Sequence, residues 1–301
     1  MSCRSQAPGA PACGESGTGR PALSGENMEV VSLAQPPFVV TNVIVPIPNL
    51  PSNLRGLRIA HVSDLHLRRW NVVLRALQDE LCALEYDLLV VTGDFCCHPT
   101  DWPRTGELAA RLFQPVAGRR SAYAVLGNHD DPRLAEMPEI PLEFLQNRAV
   151  SVESRDSRVE LAGVEQSATG GEDFHRALPG ERTHELSILL AHYPSTIFRV
   201  PRSRVDLILS GHTHGGQIRW PLLGCLWTND ALPNRMARGL HRVDDTWLYV
   251  TSGIGVTPPV KIRVNCPAEL SVLTVHNAAE AGQSDDACGE DNSAVLSDTS
   301  V

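Results

Sequence analysis

Most of the features that would assign this sequence to a class by composition alone are missing from it. Its eight cysteines, at positions 3, 13, 82, 96, 97, 225, 266 and 288, form no C-x-x-C pair and no even framework of spacings. That excludes a zinc ribbon or a disulfide-stapled scaffold and fits reduced thiols in a reducing cytoplasm, with Cys82 and Cys225 as small apolar fillers. No segment approaches the ~18 consecutive apolar residues of a membrane-spanning helix. The nearest, residues 38–47, is interrupted by Pro46 and followed by Pro48 and Pro51, and reads as a β-strand. A basic start followed by an apolar run is absent from the N-terminal region, so no secretory signal is expected. Nor is there an excess of positive charge: the formal net charge of -9 argues against broad adhesion to nucleic acid, which requires a basic face. No internal repeat points to a solenoid or propeller.

What is present is an ordinary globular composition, with 301 residues, 42% apolar and 5% aromatic. Residues 1–30 and 277–301 are poor in apolar side chains and rich in small and polar ones, too little to offset the entropy of ordering. We expect disordered tails there and one domain over residues 31–276. Within it, Val/Ile/Leu runs alternate with helical patterns, as in layered α/β proteins. Residues 57–62 and 87–92 are the clearest buried strands, and Leu74, Leu77, Leu81 and Leu84 between them lie at helical spacing. A second helix near 106–113 leads to a strand at 122–126. From residue 151 onward strands predominate, at 151–153, 158–164, 185–191, 205–210, 217–220, 247–251 and 270–275. The expected fold is α/β, two mixed β-sheets packed face to face with helices on the outside.

The chemistry-bearing residues fall just beyond these strands. Asp64 and His66 follow the first, Asp94 the second, Asn128 and His129 the third, His192 the strand 185–191, and His212 with His214 the strand 205–210. Ligand sites in open α/β sheets form beyond the carboxyl ends of strands, so these pieces should converge in one crevice. Gly93, Gly127, Gly211, Gly215 and Gly216 sit beside them, where a missing Cβ permits tight turns and close approach. Singly, each residue has a plain explanation: an Asp after a strand usually caps a turn, and a lone His is commonly a hydrogen-bonded structural residue. Five such strand ends in one chain point to a metal site instead.

DLH at 64–66, GD at 93–94, GNHD at 127–130, His192 and GHTH at 211–214 resemble the calcineurin-like metallophosphoesterases over about residues 55–275. The GHTHGGQ run and NCPAEL at 265–270 look like the bacterial YkuE/YaeI-type branch, some of whose relatives are UDP-2,3-diacylglucosamine pyrophosphatases. The resemblance implies a four-layer fold and a dinuclear centre. One metal would be bound by Asp64, His66, Asp94 and His214, the other by Asp94, Asn128, His192 and His212, with Asp94 bridging. Mixed imidazole and carboxylate ligands suit manganese first, with iron, zinc or cobalt as alternatives, over all-oxygen magnesium or calcium sites. The implied reaction is attack by metal-bound hydroxide on a phosphodiester or pyrophosphate, with His129 stabilising charge and protonating the leaving oxygen. Asp130 either orients His129 or serves a turn. His61, His98, His175, His184, His241 and His276 match no ligand position and read as structural or solvated.

The competing readings are a phosphomonoesterase or protein phosphatase on the same fold, and a scaffold that has lost catalysis. Drift to a scaffold erodes ligands, and here every ligand position is filled. Ile218, Arg219, Trp220, Pro221, Leu222, Leu223, Leu226 and Trp227 follow the GHTHGG turn closely and form either buried core or an apolar lip. On the lip reading Arg219, Trp220 and Trp227 bind substrate, joined across the entrance by Arg68, Arg69 and Trp70. The substrate is then a small or lipid-linked phosphoester such as UDP-2,3-diacylglucosamine. The protein would be cytoplasmic with peripheral contact at the inner membrane face. No nucleic-acid or protein partner is expected.

Overall fold

The Val/Ile/Leu runs that precede the acidic and imidazole residues form strands buried on both faces, which is why they read as continuous apolar stretches. The computed structural model of the chain describes residues 37–182, 184–257 and 262–279. The tails expected at 1–30 and 277–301 lie outside these, except for residues 277–279. In chain order the strands are β1 (Val39–Ile47), β2 (Arg58–Val62), β3 (Leu88–Thr92), β4 (Ser121–Val125), β5 (Glu143–Phe144), β6 (Arg148–Ser154) and β7 (Ser157–Gly163). There follow β8 (Leu186–Leu190), β9 (Leu207–Ser210), β10 (Arg219–Trp220), β11 (Gly224–Cys225), β12 (Gly239–Val243), β13 (Thr246–Val250) and β14 (Glu269–Asn277). The long helices are α1 (Val72–Ala83) and α2 (Trp102–Phe113).

Two mixed six-stranded sheets result, in the orders β1-β14-β2-β3-β4-β5 and β12-β13-β9-β8-β7-β6. In the first, β2, β3 and β4 run parallel, with Ile59 opposite Leu88 and Thr92 opposite Val125. In the second, β7, β8 and β9 run parallel, with Leu161 opposite Ile188 and Leu190 opposite Leu209. Each parallel trio delivers its carboxyl ends to one edge, and both sets of expected ligands follow those ends.

Side-chain alternation sorts the core into layers. Ile59, Leu88, Val90 and Val125 of the first sheet share a buried cluster with Leu161, Ile188, Leu190 and Leu209 of the second, so the sheets face one another. Ala60, Val62, Leu89 and Val91 point the other way, onto Leu74, Leu77 and Leu81 of α1 and Ala109, Leu112 and Phe113 of α2. Helix α1 starts where Asn71 accepts from the Leu74 amide at 3.0 Å, a side-chain cap that satisfies one orphan donor. Over the outer face of the second sheet, short helical turns take the place of long helices: Ile197 and Met236 pack there on Ala162, Leu189, Ile208 and Val250. A polar latch also joins the sheets. Tyr249 on β13 donates to Glu269 at 2.7 Å on β14, whose other oxygen accepts from the Ser252 amide at 3.0 Å. The expected strand at 217–220 is shorter, because residues 214–216 form a 3-10 turn and only Arg219–Trp220 pairs with β11.

Candidate metal centre

Beyond the carboxyl ends of β2, β3, β4, β8 and β9 the chain turns sharply, and the turns carry Asp64, His66, Asp94, Asn128, His192, His212 and His214. Asp64, His66, Asp94, His212 and His214 all adopt positive φ, between 45° and 67°. That conformation is costly for a residue with a Cβ and collects at functional sites. Neighbouring loops hold it in place: the Asp64 amide donates to Gly93 at 3.0 Å and the His66 amide to Asp94 at 3.0 Å. Gly211 is required by close approach, since a Cβ there would collide with the side chains of Ser63 and Asp64.

These turns bring together two groups of donors able to hold a cation among the described residues, Asp64/His66/Asp94/His214 and Asp94/His192/His212. Asp94 belongs to both. Its Oδ2 lies 3.6 Å from His66 Nε2, and its Oδ1 lies 3.3 Å from His192 Nε2. Asn128, half-buried, joins the second group through Oδ1, 3.1 Å from His192 Nε2. In the first group His214 Nε2 is 3.4 Å from Asp64 Oδ1 and 3.1 Å from His66 Nε2.

Backbone carbonyls fix which ring nitrogen faces the centre. A carbonyl only accepts, so the nitrogen it touches carries a proton and the other is the one left to face a cation. His66 Nδ1 donates to Cys96 O at 2.9 Å, and His192 Nδ1 to Thr92 O at 2.8 Å. In His212 the roles reverse: Nε2 donates to Asn229 O at 3.1 Å, which turns Nδ1 inward, 3.2 Å from His192 Nε2.

Burial dominates the electrostatics. It lifts Asp64 to about 6 and lowers His66 and His212 each to about 4, so these two rings are neutral near neutral pH. His214 is also pushed well down by burial and by His66. Burial opposes the charge on Asp94 and His192, but each holds the other ionised: Asp94 stays well below the carboxylate range, and His192 rises to about 9. A buried set of imidazole, carboxylate and amide donors, with lone pairs aimed inward, fits divalent cations of the borderline transition-metal kind.

His129 lines a pocket of about 230 Å³ together with Asp94, His212, His214 and Trp227. Its Nδ1 donates to Cys97 O at 3.0 Å, and its amide donates to Asp94 Oδ1 at 3.0 Å. Asp130 does not touch that imidazole. Fully buried, it accepts from the amides of Cys96 at 2.7 Å and Gly127 at 2.9 Å, tying the loop after β3 to the loop after β4. Burial, reinforced by Asp94, raises it to about 7.

The segment after the His pair is a surface hairpin rather than core. Trp220 is 56% exposed, Leu222 107% and Trp227 71%. Arg219, half-buried, donates to Gly215 O at 3.1 Å, so it braces the turn that carries His214. Arg68 and Arg69 line a second cavity of about 300 Å³ together with His66. Trp70, expected beside them at the entrance, packs instead on the helix layer beneath Arg111, 4.0 Å from its ring, because its neighbours in that layer are apolar.

The sequence does not announce the carbonyls of Cys96, Cys97 and Asn229, that of Thr92, which acts in the same way, or the hydroxyl of Thr257, 2.5 Å from His214 Nε2. The carbonyls act through backbone atoms, which no residue type announces. Thr257 could have been suspected only from its place near the GIG turn.

A family model described as calcineurin-like phosphoesterase matches residues 57–216. The chain is 32% identical to "Transmembrane protein with metallophosphoesterase domain" of Bos taurus, across 86% of this chain and 63% of that protein. It is 27% identical to phosphodiesterase YaeI of Escherichia coli K12, across 73% of this chain and 83% of the relative. With UDP-2,3-diacylglucosamine pyrophosphatase LpxG of Chlamydia trachomatis it shares 26% identity, across 75% of this chain and 86% of the relative. The chain thus spans less than two thirds of the bovine relative's length, and no helix among the described residues is long and apolar enough to cross a membrane.

A cation seated on His192 must displace the proton that the ring holds below about pH 9. Binding to that group should therefore release one proton and strengthen about tenfold per unit as pH rises toward 9. Below about pH 6 protonation of Asp64 should weaken the other group as well. Calorimetric titration of the chelator-stripped chain with Mn²⁺ at several pH values checks this, and affinity independent of pH between 7 and 9 would contradict it.

Proposed function

Because the chain belongs to the calcineurin-like phosphoesterase family, we propose that it is a phosphoester hydrolase working through a dinuclear centre held by Asp64, His66, Asp94, Asn128, His192, His212 and His214. The observation that carries this reading is the Asp94 carboxylate, one oxygen turned to each donor group. Manganese is the first choice of metal, with iron, zinc or cobalt as alternatives, on the mixed nitrogen and oxygen ligands. Held by these residues, two such cations would supply Lewis acidity at a phosphoryl oxygen and acidify water for attack near neutral pH. His129 has its Nδ1 engaged by Cys97, which leaves Nε2 to protonate the departing oxygen. The same ring in cationic form stabilises charge building on the phosphoryl group.

The substrate we propose is a phosphodiester or pyrophosphate with an apolar portion, of the kind named for the chlamydial relative, UDP-2,3-diacylglucosamine. Support comes from the exposed hairpin: Trp227 shares a pocket with His129 and the ligands, while Trp220 and Arg219 stand on the adjoining strand. Aromatic rings beside arginine suit a boundary between water and lipid. The phosphate would reach the centre while the acyl portion lies along the hairpin, with the protein docked peripherally on a membrane.

Turnover of a phosphomonoester, a bis-aryl phosphodiester and UDP-2,3-diacylglucosamine, measured after Mn²⁺ reconstitution, tests the reading directly. Asp94→Asn should abolish activity and lower metal content to one ion or none, and an active variant with two metals per chain would sink the assignment. His129→Ala should keep both metals and lose on the order of 10² to 10⁴ in kcat, least for nitrophenolate leaving groups that need no proton. Equal losses for good and poor leaving groups would assign His129 a purely electrostatic part. Replacing Trp220 and Trp227 by Ser should cut turnover of the lipid-linked substrate in detergent and spare a short soluble diester. Parallel loss on both would remove the lip from the account.

A further inference from the structure

We propose that Thr257 supplies a fifth donor, its hydroxyl oxygen, to the cation position formed by Asp64, His66, Asp94 and His214, and that Gln217 is the positioning residue that holds it there. The assignment rests on the dinuclear reading above.

Thr257 Oγ1 lies 2.5 Å from His214 Nε2 and 3.4 Å from His66 Nε2. Those two ring nitrogens are 3.1 Å from one another, and His214 Nε2 is 3.4 Å from Asp64 Oδ1. Donors bound at about 2.1 Å to one cation sit roughly 3.0–3.4 Å apart, from simple geometry on the usual bond lengths. The hydroxyl keeps that spacing from His66 Nε2, while its closer approach to His214 Nε2 is that of a hydrogen bond, so it stands beside both ring nitrogens and within reach of the same cation position. It also lines the pocket that holds His129 and Trp227.

The backbone around Thr257 is arranged to keep it there. Ile254 and Gly255 donate to the carbonyls of Ser63 and Asp64 at 3.0 and 2.7 Å, which lays this loop along the one that carries Asp64 and His66. Residue 255 must be glycine for that approach, because a Cβ would come within 2.7 Å of the carbonyl oxygens of Asp64 and Leu65. The Arg263 guanidinium gathers the carbonyls of Ser252 at 2.8 Å and Gly253 at 3.1 Å from beneath. Gln217 then grips Thr257 from both sides: its Oε1 accepts from the Thr257 amide at 3.0 Å, and its Nε2 donates to the Thr257 carbonyl at 3.4 Å. Gln217 does this from a strained backbone, φ 50° and ψ -41°, directly after the turn that bears His214. A non-glycine residue in that region persists when its side chain is held by specific partners. The side-chain amide of Gln217, the third residue past His214, thus holds the backbone of the residue whose hydroxyl faces the same cation position.

The test uses the full chain stripped by chelator and titrated with MnCl₂, following bound Mn²⁺ by equilibrium dialysis and the manganese pair by electron paramagnetic resonance. Wild type should bind two ions. Thr257→Val should weaken one of the two by about 10-fold or more, the range typical when a supporting group of a metal site is lost, and leave the other unchanged. Thr257→Ser, which keeps the oxygen, should restore affinity. Gln217→Leu should weaken the same ion while retaining the hydroxyl. Thermal unfolding in the presence of chelator identifies any variant that fails to fold, and the Ser and Leu variants then decide the matter. Two ions bound by Thr257→Val with wild-type affinities would overturn the assignment, as would a Ser variant no better than Val. A wild-type chain that binds no manganese pair would bring down the dinuclear reading itself, a result distinct from both.

Discussion

Three carboxylates, Asp64, Asp94 and Asp130, are buried together at the edge where the two sheets meet, and everything else at that edge follows from having to keep them there. Removing an ionised carboxylate from water costs several kcal/mol even after relaxation. Asp130 meets that cost with two backbone amides, while burial and Asp94 push its pKa up to about 7. Asp94 takes one ionic partner, the His192 imidazolium, while the rings beside Asp64 and on the other oxygen of Asp94, His214 and His66, are held neutral by burial. Without a cation, His192 must carry the compensating proton, and the remaining rings stay neutral. Cations of charge two, seated between the same oxygens, satisfy the requirement better than a single proton can. The cluster therefore has the charge balance of a site able to hold a cation.

The sheets exist, from this standpoint, to hold strained turns rigid. Five donor residues sit at positive φ, each one or a few residues past a strand buried on both faces. A loop on the surface would relax out of such a conformation. Here relaxation would break hydrogen bonds between adjacent loops, because the Asp64 and His66 amides are satisfied by the loop after β3 and the Cys96 and Gly127 amides by Asp130. Two parallel trios facing one another aim two independent sets of turns at one point, which a single sheet of the same length would spread along its edge.

The parts legible in the sequence were those where residue type carries the information. The apolar strands, the stripe of α1 and the seven candidate ligand side chains that the turns bring together declare themselves through period and through Asp, Asn and His at strand ends. Backbone contributions do not: the carbonyls of Cys96, Thr92 and Asn229 select the inward nitrogen of three rings, and any residue could have provided them. Asp130 was ambiguous for a related reason, since a carboxylate beside a catalytic imidazole suits either a side-chain or a backbone partner. Trp70 was misplaced because neighbours in sequence, Arg68 and Arg69, face the second cavity while it faces α2. The hairpin could not be read at all from composition. An apolar run after a buried turn is core in most proteins, whereas here it folds into a short hairpin with Trp220, Leu222 and Trp227 exposed.

That outward hairpin is mechanically joined to the centre. Cys225 packs so closely on Gly216 that a Cβ there could not be accommodated, and Arg219 holds the carbonyl of Gly215. His214, the turn, Gln217 and the hairpin are thus one stiff length of chain, with Thr257 clamped to it from the side. An exposed apolar surface of Trp220, Leu222, Leu223 and Trp227 is itself unfavourable in water, and its natural relief is cover by another apolar surface. Cover placed on the hairpin bears on the residue that presents His214. The exposed hairpin and the donor cluster consequently share one backbone, so the substrate proposed above, with a phosphate at one end and an apolar body at the other, would engage both at once.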